Sequence, residues 1–250
     1  MKKIAISLLT FGCIFLTGCL ETTQEITLKE DGSGTISNIN DMSALIGLAK
    51  QMGGGAEMEK AAGQVIDSTI SLTKGADSIP NLTTEEREMA RKGTLKFNMD
   101  LSKEKFITSL LFPFTSPDQI PAYNKLSGKM MAETMKDQMG DGMPTGGEMP
   151  EPSSFDDYYT MEYSNGVLKK KLNKEKYAGV ESDQYLKGMK ETAGMGLVMK
   201  ANYIINLPRP AKEVEGKGAK LSDDKMKITI SSSIDDFFED PSLLEFKIKY

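Results

Sequence analysis

The 250-residue chain has no histidine, no tryptophan and only two cysteines. Without histidine it can build no Ser–His catalytic pair and no imidazole metal site, and it lacks the usual side chain for a pH switch near neutrality. It also lacks a long hydrophobic run. The most apolar segment, residues 4–15, is shorter than the about 20 residues that span a bilayer core.

The amino terminus has the pattern of an export signal. Lys2 and Lys3 precede the apolar residues 4–15, and small residues follow. The stretch Leu16-Thr17-Gly18-Cys19 then resembles the lipobox of bacterial lipoproteins. This resemblance implies cleavage before Cys19 and acylation of its thiol and amine. The alternative is an ordinary secretory signal followed by a chance cysteine.

The lipobox divides the chain into three parts. Residues 1–18 are predicted to be a lipoprotein signal peptide, 19–23 an acylated tether, and 24–250 a single folded domain. Because Cys13 lies in the removed segment, the mature chain keeps Cys19 but no disulfide framework and no thiolate metal cage. Acyl chains on Cys19 anchor firmly, since each buried methylene contributes about 0.8 kcal/mol. We expect a location in the cell envelope, at the outer membrane of a Gram-negative bacterium.

The composition of the chain is that of a globular protein, with 39% hydrophobic and 27% charged residues. Loss of Lys2 and Lys3 with the signal peptide takes the net charge from −5 to −7. An acidic surface argues against a nucleic-acid partner, because such binding depends on neutralising phosphates.

Hydrophobic periodicity predicts an α+β fold, an antiparallel sheet of hairpins with helices packed on one face. Helices are expected near residues 41–52, 83–92 and 116–138. The second of these begins at the capping box Thr83-Thr84-Glu85-Glu86.

Two turns and one irregular segment organise the rest. Asp31-Gly32-Ser33-Gly34 predicts a hairpin turn, because it lacks the carboxylates of a calcium loop and the lysine of a phosphate loop. Ser164-Asn165-Gly166 predicts a hairpin between strands 155–163 and 167–172. Residues 138–154 have no period and many glycines and prolines, so we predict a flexible excursion there.

Four stretches in order carry a family resemblance: EITLKEDGSGTIS, LTTEEREMARKGTLKFNMDLSKEKFITSLLFPF, ANYIINLPRPAKEV and KMKITISSSIDDFFEDPSLLEFKIKY. Their order resembles uncharacterised lipoproteins of Bacteroidota-type bacteria. More distantly it is similar to LppM-like lipoproteins, an α+β group in which lipid binding has been proposed. The resemblance covers most of the mature chain and implies no set of catalytic residues.

Methionine is unusually frequent, with 17 residues. Met131, Met135, Met139 and Met143 are spaced four residues apart. This series has three interpretations: a thioether site for copper(I), a helix stripe packed in the core, or an adaptable surface for an apolar ligand or partner. The spacing favours the core stripe, and no metal or cofactor is predicted. As a speculative ligand or partner surface the sequence offers Met130, Met131, Met135 and Met139.

Charged clusters give weaker signals. Among the paired carboxylates, Asp235 and Glu239 lie one helical turn apart and could converge in a hydrolase site. Solvated faces and helix caps explain them more simply, so no catalytic residue is predicted. The basic run Lys169-Lys170-Lys171 could attract anionic lipid headgroups or protect an exposed sheet edge. The acidic net charge favours edge protection.

These features predict a membrane-anchored envelope lipoprotein that is not an enzyme. It is expected to act as a binding or assembly module for an envelope partner or a lipid-like ligand. Two alternatives stay open, a copper(I)-binding protein that uses the methionine-rich segment and a carboxylate-dependent hydrolase.

Overall fold

A computed structural model of the chain describes residues 18–49, 65–139, 153–164, 166–194 and 197–250. The α+β class predicted from the sequence is confirmed. The strands are β1 Gly18–Leu28, β2 Gly34–Asp41, β3 Val65–Ser71, β4 Thr94–Asp100, β5 Lys105–Phe114, β6 Tyr159–Ser164, β7 Val167–Leu172, β8 Leu197–Asn206, β9 Glu213–Glu215, β10 Lys220–Leu221, β11 Lys227–Ser233 and β12 Phe246–Lys249. The α-helices are α1 Ser43–Ala49, α2 Leu72–Gly75, α3 Thr84–Ala90, α4 Ile120–Met139, α5 Lys174–Tyr177, α6 Gln184–Gly194 and α7 Ile234–Glu239.

The strands form two sheets. The larger has the order β10-β11-β8-β1-β2-β5-β4-β3, and the smaller has the order β6-β7-β12-β9. Hairpin pairs are antiparallel, as predicted, but β1 pairs in parallel with β8, which comes much later in the chain. This parallel pair and the second sheet were not predicted.

Local sequence signals explain the first hairpin. Its turn is closed by Asp31 Oδ1, which accepts the backbone N–H of Ser33 at 3.0 Å. Gly32 sits at φ 82°, in the left-handed region that glycine adopts without strain. The predicted hairpin turn is therefore confirmed.

A row of buried side chains crosses five strands of the large sheet. The cross-strand partners are Ile228, Ile205, Ile26, Ile36 and Phe112, all at most 1% exposed. The next row, Tyr203, Gln24 and Asn38, is polar but points toward the same core. Apolar burial thus holds the centre of the sheet, beside a polar strip that needs hydrogen-bond partners.

Helix α4 covers this face of the sheet. Its residues Ile120, Tyr123, Leu126 and Met130 are between 0% and 6% exposed, and the ring of Tyr123 stacks on that of Phe112 at 5.0 Å. Helices α1, α3 and α4 correspond to the three helices predicted from the sequence. Within the described residues, no helix is both long enough and apolar enough to cross a membrane.

Two predicted boundaries change, and a third segment is not described. Residues 155–158 form a 3-10 turn rather than the start of a strand, because Ser154 caps this turn through a capping box with Asp157. Residues 20–23, predicted as tether, lie inside β1 and pair with both β2 and β8. Most of the predicted excursion, residues 140–152, lies outside the described residues.

Candidate functional site

Helix α3 is fixed at its start by the predicted capping box. Thr83 Oγ1 accepts the N–H of Glu86 at 3.2 Å, and Glu86 Oε2 accepts the N–H of Thr83 at 2.9 Å. Glu86 also accepts the Lys129 ammonium of α4 at 2.6 Å. The hydrogen bonds from Lys129 and Thr83 hold the pKa of the Glu86 carboxyl below its usual value. One carboxylate therefore caps α3 and joins it to α4.

A groove of about 360 Å³ opens between α3 and the start of α4. This volume lies near the lower end of the range for ligand clefts, about 300–1,000 Å³. Its lining combines an apolar part, three carboxylates and one ammonium: Glu85, Glu88, Met89, Lys92, Asp118, Gln119, Ala122 and Tyr123. A lining that combines carboxylates with apolar surface suits a cation carried on an aliphatic stem, such as a lysine or arginine side chain.

A second cluster lies between the two sheets. The carboxylate of Asp156 accepts Lys170 Nζ at 2.5 Å and Tyr203 Oη at 2.9 Å on one oxygen. Its other oxygen accepts the side-chain amides of Gln24 and Asn124, both at 2.7 Å. We call these five residues the Asp156 centre; they join β1, β7, β8, α4 and the 155–158 turn.

Burial and charge act against each other in the Asp156 centre. Burial alone would raise the pKa of Asp156, but the charge of Lys170 and the hydrogen bonds of Lys170, Gln24 and Tyr203 outweigh it and lower this pKa below its usual 3.8. Burial lowers the pKa of Lys170, and Asp156 opposes that shift. Burial is the larger cause, and the charge of Asp156 the second, of a pKa of Tyr203 that lies well above 10.0. The phenol of Tyr203 therefore stays a hydrogen-bond donor.

The Asp156 centre is suited to holding the surrounding elements together rather than to catalysis. Four hydrogen bonds fill about all the lone-pair positions of a carboxylate, which leaves Asp156 no site from which to take a proton from a substrate. The Lys170 ammonium also lies 3.7 Å from the ring centroid of Tyr203 and 4.8 Å from that of Tyr159. A cavity of about 20 Å³ beside it has room for one water. This arrangement stabilises one packing of the two sheets.

Edge protection by Lys169-Lys170-Lys171 is a wrong prediction. Strand β7 lies between β6 and β12, so it is not an edge strand, and Lys170 is only 2% exposed. The sequence contained a signal for this burial. Lys170 alternates with Leu168 and Leu172, and Leu168 is fully buried. A strand residue between two leucines on the same face is expected to point inward with them.

The methionines divide between core and helix end. Met130 is 6% exposed and belongs to the core, so it cannot form part of a binding surface, while Met131 is half-buried. Met135 and Met139 lie in the last turns of α4, and their side chains fall outside what the structure describes. Met143, the fourth residue of the proposed copper series, also lies outside the described residues.

The carboxylates proposed for a hydrolase are solvent-exposed. Asp235 and Glu239 lie at the surface of α7, whereas Asp236 accepts the N–H of Ser233 and caps this helix. Asp240 pairs with Lys217. In the part of the chain that the structure describes, no group of three or more cysteine and acidic residues is placed to hold a metal ion.

Comparison with known proteins finds a similarity to a solved structure but to no family. No protein-family model and no curated protein matches the chain. Similarity to Bacteroidota-type lipoproteins therefore stays a prediction. Among solved structures, the chain is similar to the folded domain of LppM from Mycobacterium tuberculosis, determined by NMR, with a TM-score of 0.39 and 8% identity over 94% of this chain and 91% of that chain.

Proposed function

We propose that the chain is a lipid-anchored envelope protein that binds a protein partner without catalysing a reaction. The partner inserts a lysine or arginine side chain into the α3–α4 groove. The observation that carries this proposal is the groove itself, whose lining combines three carboxylates and one ammonium with apolar side chains. Such a site attracts a cation by charge and holds its stem by apolar contact.

The packing under α4 supports a protein partner rather than an enclosed lipid. Ile120 and Leu126 are fully buried, and Tyr123 stacks on Phe112 of the sheet. Side chains therefore fill the space where an internal acyl chain would lie under this part of the helix. A side chain from a partner needs only the open groove, which has the necessary volume.

The proposed anchor sits directly on the folded domain. Cys19 aligns with Val198 of β8, and Leu20 pairs with Met199 in the same parallel ladder. Because the ladder already includes Cys19, the residue proposed to be acylated, little free chain would separate the domain from the lipid. The anchor would then keep the domain close to the membrane surface, where an envelope partner is within reach.

Labelling with radioactive palmitate tests the anchor. We expect the full chain, expressed in a bacterial envelope host, to carry the label, and Cys19→Ala to carry none. An unlabelled wild-type chain, with an intact Cys19 thiol by mass spectrometry, would refute the lipid anchor.

Site-specific photocrosslinking tests the groove. A photoreactive amino acid at Ala122, which lines the groove, is expected to capture one envelope protein in living cells, whereas the same group at the exposed Lys220 captures none. The triple variant Glu85→Gln, Glu88→Gln and Asp118→Asn keeps the shape of the groove but removes its negative charge. Crosslinking that persists unchanged in this variant would contradict binding of a cation.

Native mass spectrometry of the purified chain distinguishes lipid carriage from binding of a protein partner. A bound mass in the phospholipid or fatty-acid range, in addition to the anchor, would replace the protein-partner proposal with lipid carriage. A bound copper mass would support the thioether site of the methionine-rich segment.

A further inference from the structure

Strand β3 forms one edge of the large sheet and is exposed along almost its full length. Val65 is 66% exposed, Ile66 42% and Ile70 48%. Natural edge strands are usually short or carry lysine or proline. The opposite edge, β10, has two residues, whereas β3 has seven and contains Asp67 as its one charged residue. An edge of this kind can accept another strand.

The main-chain groups that face outward from β3 follow from its pairing with β4. The N–H of Leu72 donates to the carbonyl of Gly93 at 3.0 Å, which continues the antiparallel register of the two strands. Even-numbered residues therefore exchange hydrogen bonds with β4. Residues 65, 67 and 69 point their N–H and C=O groups toward the open edge. Ser71 offers only its N–H there, because Ser71 is the N-cap of α2 and its C=O accepts the first hydrogen bond of that helix.

In the sequence of β3, VIDSTIS, Ile66 and Ile70 lie symmetrically about Ser68. When two copies pair antiparallel with Ser68 opposite Ser68, the odd-numbered residues face each other and form about six main-chain hydrogen bonds, since the C=O of Ser71 is used by α2. Ile66 of each copy then lies opposite Ile70 of the other, in the closely spaced type of pair. Asp67 lies opposite Thr69, so no like charges are directly paired.

We propose that β3 pairs with β3 of a second copy of this chain, joining two eight-stranded sheets across a two-fold axis. The occupant of the edge is a second copy because the register that matches the outward hydrogen-bonding groups also pairs isoleucine with isoleucine and places no aspartate directly opposite another. A contact of one strand pair is small, so it is weak in solution and gains from confinement to a membrane surface.

The twist of the sheet lets the Cys19 anchors of both copies reach the same membrane. This step rests on the lipid anchor of the proposed function. β1 is four strands from β3 in the sheet. A twist of about 20–25° per strand turns β1 by about 80–100° relative to β3. In each copy β1 then runs nearly along the two-fold axis, and a two-fold rotation preserves that direction. Both Cys19 residues therefore lie on the same side of the dimer.

Disulfide crosslinking tests the register. Ser68→Cys places two cysteines at the two-fold axis, where the Cα atoms of a closely spaced pair are about 4.5 Å apart, within reach of a disulfide. We expect mild oxidation of membranes to crosslink Ser68→Cys and to leave Lys96→Cys, one strand further inside, uncrosslinked. Absence of the Ser68→Cys dimer, with its thiol still reactive to maleimide, would overturn the proposal.

Charge substitution tests the same contact in the purified chain, whether or not it is acylated. Ile66→Lys with Ile70→Lys puts lysine opposite lysine and is expected to abolish the dimer in native mass spectra. Ile66→Lys with Ile70→Glu puts lysine opposite glutamate and is expected to restore it. Leu221→Lys, at the opposite edge, is the matched control and leaves the dimer intact. A monomeric wild type at all concentrations, or equal behaviour of both double variants, would refute the pairing. Failure of palmitate labelling alone would refute the anchor and leave the dimer standing.

Discussion

Replacing Lys170 with methionine removes the positive charge from the Asp156 centre and keeps most of the side-chain volume. Lys170 is 2% exposed and lies 2.5 Å from the Asp156 carboxylate. Removal of one member of a buried ion pair leaves the other uncompensated, which costs about 3–5 kcal/mol. In a chain of this length that loss lowers the midpoint of thermal unfolding by roughly 6–20 °C.

Urea unfolding of the purified chain, followed by circular dichroism, measures this loss. Lys171→Met is the matched control, because Lys171 is the exposed neighbour in the same strand and surface changes usually stay within about 0.5 kcal/mol. A free energy of unfolding for Lys170→Met that lies within about 1 kcal/mol of the control would refute the role of the ion pair.

The double variant Asp156→Asn with Lys170→Met identifies the cause of the loss. It removes the stranded charge and keeps one oxygen, which can still accept the hydrogen bonds that Gln24 and Asn124 donate to the same carboxylate oxygen in the wild type. We therefore expect the double variant to be more stable than Lys170→Met alone. Additive losses would show that lost packing, rather than an uncompensated charge, causes the destabilisation.

Acidification provides an independent check of the same reasoning. In the wild type the pKa of Asp156 is lower in the folded than in the unfolded chain, so the pair contributes stability above about pH 4 that is lost as the pH falls through the folded-state pKa. Without Lys170, burial raises the pKa of Asp156, and protonation relieves the cost. The stability gap between wild type and Lys170→Met should narrow from pH 7 toward pH 4. A gap that does not change with pH would contradict this explanation.

Three further changes have defined outcomes. Thr83→Ala removes the cap of α3 and should cost about 1 kcal/mol in thermal unfolding; an unchanged midpoint would show that the helix does not need it. Gly93→Ala would place a methyl 2.5 Å from a ring carbon of Phe112, so we expect a loss of about 1–3 kcal/mol in urea unfolding, and a neutral result would mean that the ring moves freely. An NMR titration should find the pKa of Asp100 at about 2, because Lys103 and Ser102 donate hydrogen bonds to its carboxylate; a value near 3.8 would show that these bonds do not persist in solution.

Local features of the fold could be read from the sequence because their causes are local. The turn after Asp31 depends on neighbouring residues, and so does the capping box of Thr83 and Glu86. In β4, Leu95, Phe97 and Met99 alternate with polar residues, which reflects the two faces of a single strand. Such signals need no knowledge of what the element packs against.

The groove and the Asp156 centre could not be predicted, because they depend on which distant elements meet. Asp156 meets Gln24 only because β1 joins the sheet next to β8, and it meets Lys170 only because a second sheet packs nearby. No period in the sequence encodes such pairings. The position of Lys170 between Leu168 and Leu172 indicates that its side chain points inward, although its neighbours Lys169 and Lys171 give the segment the pattern of a basic run.

The central position of β1 also affects when the domain can fold. Its parallel partner comes near the end of the chain, so that Thr27 aligns with Asn206. The middle of the large sheet cannot close until almost all of the chain is available, and pairing over such a separation is slow. A chain that stays open until its last third has been made is easier to thread through a membrane. Late closure of the large sheet is therefore compatible with the proposed export of an unfolded chain.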